Sequence, residues 1–209
     1  LAKERGVPVK DAAAQKLDAL CGGVVHQGVA AMAACHDFST MEDIFAKAGD
    51  QPPFIIICDN IEDPHNLGAI IRTAEAAGAH GVIIPKRRGV GLTATVAKTS
   101  AGAVEYMPVV RVANIVSTIE ELKQKGLWIF CADMDGKPWC SADMGGPIGI
   151  VVGAEGSGVS RLTKEHCDFV VSLPMNGQVN SLNASVAAAI VIYEAVRQRS
   201  GLPAFTSNK

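Results

Sequence analysis

No run of apolar residues approaches the roughly 20 that a helix needs to span a bilayer, so no membrane-spanning helix is expected. The opening residues, Leu1–Lys10, are mostly polar and do not read as a secretory leader. Neither sign of charge dominates: 19 lysines and arginines stand against 21 aspartates and glutamates, a formal net charge of −2. A protein that coats nucleic acid nonspecifically carries a strong basic excess. The balance here argues against one, while leaving room for a local basic patch. The six cysteines, Cys21, Cys35, Cys58, Cys131, Cys140 and Cys167, include no C-x-x-C pair. Zinc sites need closely spaced ligand pairs, and disulfide scaffolds are usually short and secreted. These cysteines therefore read as reduced thiols of a cytoplasmic protein, mostly packing as small hydrophobes, and no metal is expected. Internal repeats and low-complexity tracts are absent too.

What is present is a chain of 209 residues, 48% hydrophobic, which supports a substantial core and excludes general disorder. From Phe54 onward, short apolar runs alternate with helical segments. The runs are Phe54–Cys58, Gly81–Ile84, Leu127–Cys131, Ile148–Val152 and Phe169–Leu173. They are continuously apolar, as strands covered on both faces are. Helices are expected over Leu67–Ala77, Thr93–Ser100, Ala113–Lys125, Ser160–His166 and Ser181–Arg199. The fold class this predicts is α/β, with a mostly parallel sheet and helices on both faces. Residues 1–48 differ. A helical stretch around Asp11–Leu20 leads to an apolar strand, Val29–Ala33, and Ser39 with Glu42 reads as a capping box. Pro52-Pro53 stops any helix, and the main boundary is expected at 48/49. The chain opens on leucine, so residues 1–48 are expected to be the end of a longer domain plus a linker.

Ligands of such sheets sit beyond the carboxyl ends of the strands, and three loops there are rich in small and polar residues. In the first, Asp59–Asn66, Asn66 either caps the following helix or faces the crevice; Arg72, a turn and a half later, either pairs with Glu75 or supplies a fixed positive charge. The second, Gly153-Ala154-Glu155-Gly156-Ser157-Gly158, is G-x-x-G-x-G, not the dinucleotide fingerprint, and it lacks the lysine and hydroxyl of a P-loop. Its glycines allow positive φ and close backbone approach. Glu155 would repel phosphates, which favours a ligand with a neutral or cationic part, such as a sulfonium. The third loop, Leu173–Asn180, runs into Ser181-Leu182-Asn183. Asn180 or Ser181 is a candidate helix cap, and the amide cluster can equally bind a polar ligand edge.

Taken together, Asp63–Ala74, Ile150–Gly158 and Leu173–Ser185, with Thr93–Ala103 between the first two, resemble the SpoU (TrmH-like) family of RNA ribose 2′-O-methyltransferases in the SPOUT superfamily. The resemblance covers roughly 53–200, with the motifs in order, and is closest to the bacterial 23S rRNA guanosine-2′-O-methyltransferases. It implies a C-terminal trefoil knot, S-adenosylmethionine as cofactor, an RNA substrate, a homodimer and no metal. It assigns cofactor contact to Gly153, Leu173, Met175, Ser181 and Leu182. Catalysis falls to Arg72, with Asn66, Ser181 and Asn183 near it and Glu155 bracing the knot or orienting ligand groups. Residues 1–48, including Val25–Val29, resemble the end of a small α/β RNA-binding domain that precedes the 49–209 catalytic domain in these enzymes. The target stays open between rRNA and tRNA, and the general base is unassigned, because arginine, with a pKa above 12, serves poorly as one. Two other classes compete: a nicotinamide-dependent oxidoreductase, which lacks its fingerprint here, and a noncatalytic RNA-binding assembly protein. Lys86-Arg87-Arg88 is either a solvated loop or a phosphate grip, and His26 is either structural or an RNA contact.

Overall fold

The central strand explains the architecture. In β1 (Phe54–Asp59) all six residues are buried. Phe54, Ile56 and Cys58 point into one apolar cluster, while Ile55 and Ile57 point into another. Side chains alternate along a strand, so the run Phe54–Cys58, with no charged member, needs cover on both faces. Each fully buried isoleucine contributes about 1.5–3 kcal/mol. The computed structural model describes residues 9–22, 25–30 and 36–203.

Beside β1 lie β2 (Gly81–Pro85), β3 (Val109–Val112), β4 (Trp128–Pro138), β5 (Ile148–Gly153) and β6 (Phe169–Ser172), in the order β3-β2-β1-β5-β4-β6. Every neighbouring pair is parallel. The helices are α1 (Ala14–Cys21), α2 (Met41–Ala48), α3 (Pro64–Ala76), α4 (Ala94–Thr99), α5 (Ile115–Gln124), α6 (Arg161–His166) and α7 (Ala184–Arg199). Leu67, Ile70 and Ile71 of α3, Val96 of α4 and Val191 and Ile192 of α7 close one face of the sheet. Ile44 of α2, Ile119 and Leu122 of α5 and Cys167 after α6 close the other. The expected α/β class with helices on both faces is what the chain adopts.

Two expectations shift. The chain divides at 34/35 rather than at 48/49, because α2 belongs to the larger unit. Ile44 is fully buried against Ile55, Ile57 and Ile83, and it sits so close to Gly81 that a Cβ there would lie 2.4 Å from its Cδ1. The capping box is one residue later than expected. Thr40 Oγ1 accepts from Asp43 N–H (3.3 Å) and Asp43 Oδ2 accepts from Thr40 N–H (2.7 Å). Ser39 is unavailable as the cap because its own N–H donates to Val109 O (2.9 Å), extending the chain beside β3.

In the smaller unit, α1 starts at Ala14, later than the stretch expected from Asp11, and ends at Gly22 in the left-handed region (φ 57°). His26 Nδ1 accepts from Gly28 N–H (2.9 Å), which leaves Nε2 to donate to Asp18 (3.0 Å). His26 thus holds a turn. The strand expected over Val29–Ala33 lies largely outside the described residues; Val29 and Ala30 are not in one.

Candidate active site

The first loop is fastened before it reaches its helix. Asp59, buried at the end of β1, accepts from Ser160 N–H (2.8 Å) and so ties the segment after β5 to β1. Pro64 takes the first helical position of α3, where its missing N–H costs nothing, and Asp63 caps the helix by accepting from His65 N–H (2.9 Å). Asn66 is therefore not the cap. It is only 5% exposed, and its Oδ1 accepts from Asn183 Nδ2 (2.9 Å).

Asn183 is the junction. Its Oδ1 caps α7, accepting from Ser185 N–H (3.0 Å), Val186 N–H (3.3 Å) and Ser185 Oγ (2.6 Å). Its Nδ2 donates both to Asn66 and to Glu155. Neither Asn180 nor Ser181 caps the helix, which begins three residues later than expected, at Ala184. Only an amide meets both demands at this position, because it accepts on one side and donates twice on the other. An aspartate here would face Glu155 with like charge.

A cavity of about 320 Å³ opens at the carboxyl ends of β5 and β6, beside the middle of β4. Gly153, Leu173, Met175, Ser181 and Leu182, the five residues assigned to cofactor contact, all line it, and so does Glu155. Gly153 is required by space, since a Cβ there would lie 2.1 Å from the backbone carbon of Gly158. Gly156 (φ 84°) and Gly158 (φ 65°) are required by conformation. Leu173 also packs on the core, whereas Leu182 is exposed and serves only as wall.

Sequence reasoning missed part of this wall. Asp133 and Met134 line the cavity because β4 runs on past Cys131, the expected strand end, to Pro138. Asp133 pairs with Lys164 (3.3 Å), which also pairs with Asp135. The Asp135 hydrogen bond, more than the Asp133 charge, holds the Lys164 ammonium above its ordinary value. The signal was the position of Asp133 directly beyond an apolar run neighbouring β5.

Arg72 is not brought to this group. It is exposed on α3, does not line the cavity, and makes no ion pair among the described residues, with Glu75 or otherwise. Six residues of helix rotate it by about 240° from Asn66.

Among the described residues, no group of three or more histidine, cysteine or acidic side chains could hold a metal, and no helix is long and apolar enough to cross a membrane. Burial, with a smaller contribution from the Asp59 charge, pushes the Cys58 thiol up to about 12, so this cysteine packs and does not react.

An all-parallel α/β sheet with a ligand-sized cavity at its carboxyl edge defines a small-molecule-binding α/β domain. The sequence profile of the SpoU rRNA Methylase family matches residues 53–193, and the chain belongs to that family. The profile for RNA 2′-O ribose methyltransferase substrate binding matches residues 1–38. YacO of Bacillus subtilis, assigned to the TrmH family of tRNA/rRNA methyltransferases, is 47% identical over 203 residues, covering 96% of this chain and 81% of YacO. The 23S rRNA (guanosine-2′-O-)-methyltransferase RlmB of Ralstonia nicotianae is 46% identical over 204 residues, with 97% and 82% covered. The SpoU methyltransferase AviRb of Streptomyces viridochromogenes, solved with AdoMet, superposes with a TM-score of 0.72 at 28% identity, covering 79% of this chain and 66% of AviRb.

S-adenosylmethionine is the family's cofactor, and the cavity suits it. Val152, Val171 and Leu173 offer an apolar wall, and Asn180 and Ser181 offer hydrogen bonds. Among the described residues, the only charges on the lining are the carboxylates of Asp133 and Glu155. A cationic sulfonium is welcome in such a lining. The pyrophosphate of a nicotinamide dinucleotide would meet two acids and no base.

Proposed function

We propose that this chain transfers a methyl group from S-adenosylmethionine to a ribose 2′-hydroxyl of RNA, with a guanosine of 23S rRNA as the target. The observation that carries this reading is the Asn183 junction, which fastens the first-motif helix and the second-motif loop together at the rim of a cation-free cavity. The cofactor supplies an electrophilic methyl on a positively charged sulfur. The protein must then hold the 2′-oxygen in line with that carbon and stabilise the negative charge growing on the oxygen. Gly153, Leu173, Met175 and Leu182 shape the cavity, and Ser181 offers its hydroxyl on the same wall. Glu155, bonded to Asn183, braces the loop. Arg72 supplies the compensating charge, and its freedom from local ion pairs among the described residues leaves its planar fork available.

The trefoil knot belongs to the same reading. Its support is the match of all three motifs, in order, to the family that carries it. Residues 1–38 are proposed as the end of the substrate-binding unit, and the cytoplasm as the site of action. A homodimer is supported by Val186, Ile190 and Tyr193, which leave an exposed apolar stripe along α7 at helical spacing. Ala184 and Ala188 on the same helix are buried in the chain's own core and leave the contact to those larger side chains.

The test is incubation of the protein with methyl-labelled S-adenosylmethionine and either protein-free 23S rRNA or total tRNA, followed by mapping of alkali-resistant 2′-O-methyl positions. Label at a guanosine of 23S rRNA is the expected result. Label confined to tRNA, the substrate class of the A. aeolicus TrmH/SpoU tRNA modifying enzyme (TM-score 0.64, 30% identity, covering 75% of this chain and 83% of that one), would replace rRNA with tRNA. Base methylation would overturn the reaction.

A further inference from the structure

The loop leaving β2, Lys86-Arg87-Arg88, presents three exposed cations at the carboxyl edge of the sheet, on the strand next to the one that leads to Asn66. Its backbone is pinned on both sides. Toward β3, Lys86 N–H donates to Val112 O (2.7 Å), and Arg111 Nη2 donates to the Lys86 carbonyl (3.1 Å) from a position over the Phe38 ring. Toward the first-motif loop, Val90 N–H donates to Ile61 O (2.9 Å). Gly89 is packed so tightly that a Cβ would lie 3.1 Å from Pro85 Cγ and 3.3 Å from Ile61 O. Between these anchors Arg88 holds a φ of 60°, a region that non-glycine residues rarely occupy.

A solvated charge run needs none of this. Nor are the charges spent within the chain: among the described residues, Lys86, Arg87 and Arg88 form no ion pair. The acids on the adjoining loop are Glu62 and Asp63; Asp63 is occupied in capping α3, and Glu62 is exposed to solvent. The cofactor cavity, with two carboxylates and no cation on its lining, cannot neutralise a polyanion. A fixed, uncompensated basic loop on the same edge of the sheet can.

We propose that Lys86, Arg87 and Arg88 grip phosphates of the RNA strand flanking the nucleotide to be methylated. This assignment rests on the RNA methyltransferase reading above. Guanidinium forks match phosphate oxygens two at a time, and contacts of this kind fix register and orientation without reading sequence. The loop therefore strengthens binding to RNA of any sequence and leaves the choice of target to other parts of the enzyme.

The experiment is fluorescence anisotropy of the 209-residue chain with a labelled single-stranded RNA of mixed sequence, titrated across a range of salt concentrations. It compares the parent with a Lys86→Ala, Arg87→Ala, Arg88→Ala triple variant. The expected result is a tenfold or greater loss of affinity at low salt. The slope of log affinity against log salt should also flatten by about 2, since each neutralised phosphate on a single strand contributes about 0.7. S-adenosylmethionine affinity and the melting temperature should stay at parental values. A charge-preserving Lys86→Arg, Arg87→Lys, Arg88→Lys variant should keep the parental slope, which separates charge from loop structure. A parental slope in the alanine variant overturns the assignment, whether or not methyl transfer occurs. A flattened slope in a chain that transfers no methyl group supports the loop assignment while overturning the functional reading.

Discussion

The two ends of α7 are both crowded with hydrogen-bonding side chains, and they do different work. At the carboxyl end, Glu194 is buried and held by Arg197 through both Nε (2.8 Å) and Nη2 (2.7 Å), with Gln198 Nε2 donating to the same carboxylate (2.7 Å). Gln198 also accepts from Met144 N–H (2.7 Å) and donates to Ala142 O (2.9 Å). Arg199 donates to the carbonyls of Pro52 (3.0 Å), Pro53 (3.1 Å) and Gly146, and lies over the Phe54 ring. Nearly every partner beyond the helix is main chain of the loops entering β1 and β5. That end is a clamp, closed on itself. At the amino end, Asn183 satisfies its own helix and then reaches Asn66 and Glu155, the latter lining an open cavity. Polar density alone does not mark a site. A polar cluster that reaches the lining of an open cavity does.

Changes at four positions test that contrast. The largest effect is expected from Gly153→Val, because even one added carbon would overlap the backbone of Gly158. Calorimetric titration should show S-adenosylmethionine binding abolished, and binding at parental affinity would mean that the cavity is not the cofactor site. Next is Arg72→Ala, expected to lower kcat by about 10²–10³-fold with cofactor affinity unchanged. Arg72→Lys should recover little, since a point charge on a flexible stem does not reproduce the fork. Turnover at the parental rate on the true target RNA would reduce Arg72 to a surface residue.

Asn183→Ala comes third. It removes the α7 cap, worth about 1 kcal/mol, and leaves the buried Asn66 oxygen without its donor, about 1–3 kcal/mol more. Urea denaturation should show a loss of that order together with weakened cofactor binding; a loss of stability alone would make this end a clamp like the other. The smallest effect is expected from Glu194→Gln. The Arg197 hydrogen bonds hold the Glu194 carboxyl below its ordinary value of 4.5, so the ionised form stabilises the fold. That contribution, about 1–2 kcal/mol, is complete at neutral pH and disappears as pH falls below the usual carboxylate range. Parent and variant should therefore differ in melting temperature at pH 7 and converge in acid, with equal cofactor affinity throughout. A pH-independent difference would sever it from the ion pair.

Continuous apolar runs such as Phe54–Cys58 were legible because a doubly covered parallel strand leaves no other composition. β3 was not, because four residues with Arg111 exposed in their midst carry too little pattern. The start of α7 misled because Asn180, Ser181 and Asn183 are all good caps, and only the three-dimensional approach of Asn66 and Glu155 selects the last. Five residues of the cavity lining were assigned through the family resemblance of the loops, while Ala132, Asp133 and Met134 were missed because β4 outruns its expected end. What no spacing rule supplied is the separation of Arg72 from the cavity within one chain.

The tie between Asp59 and Ser160 joins residues 101 apart in the chain, and β1 pairs with β5 along its whole length. A ribosome adding about 5–20 residues per second needs roughly 5–20 s to deliver the second partner after the first. For most of that interval the fully buried strand β1 has β2 on one edge and nothing on the other. Contacts this distant in sequence also slow the search itself. The nascent chain is thus exposed to aggregation until β5 emerges, and any truncation before Gly153 would extend that state indefinitely.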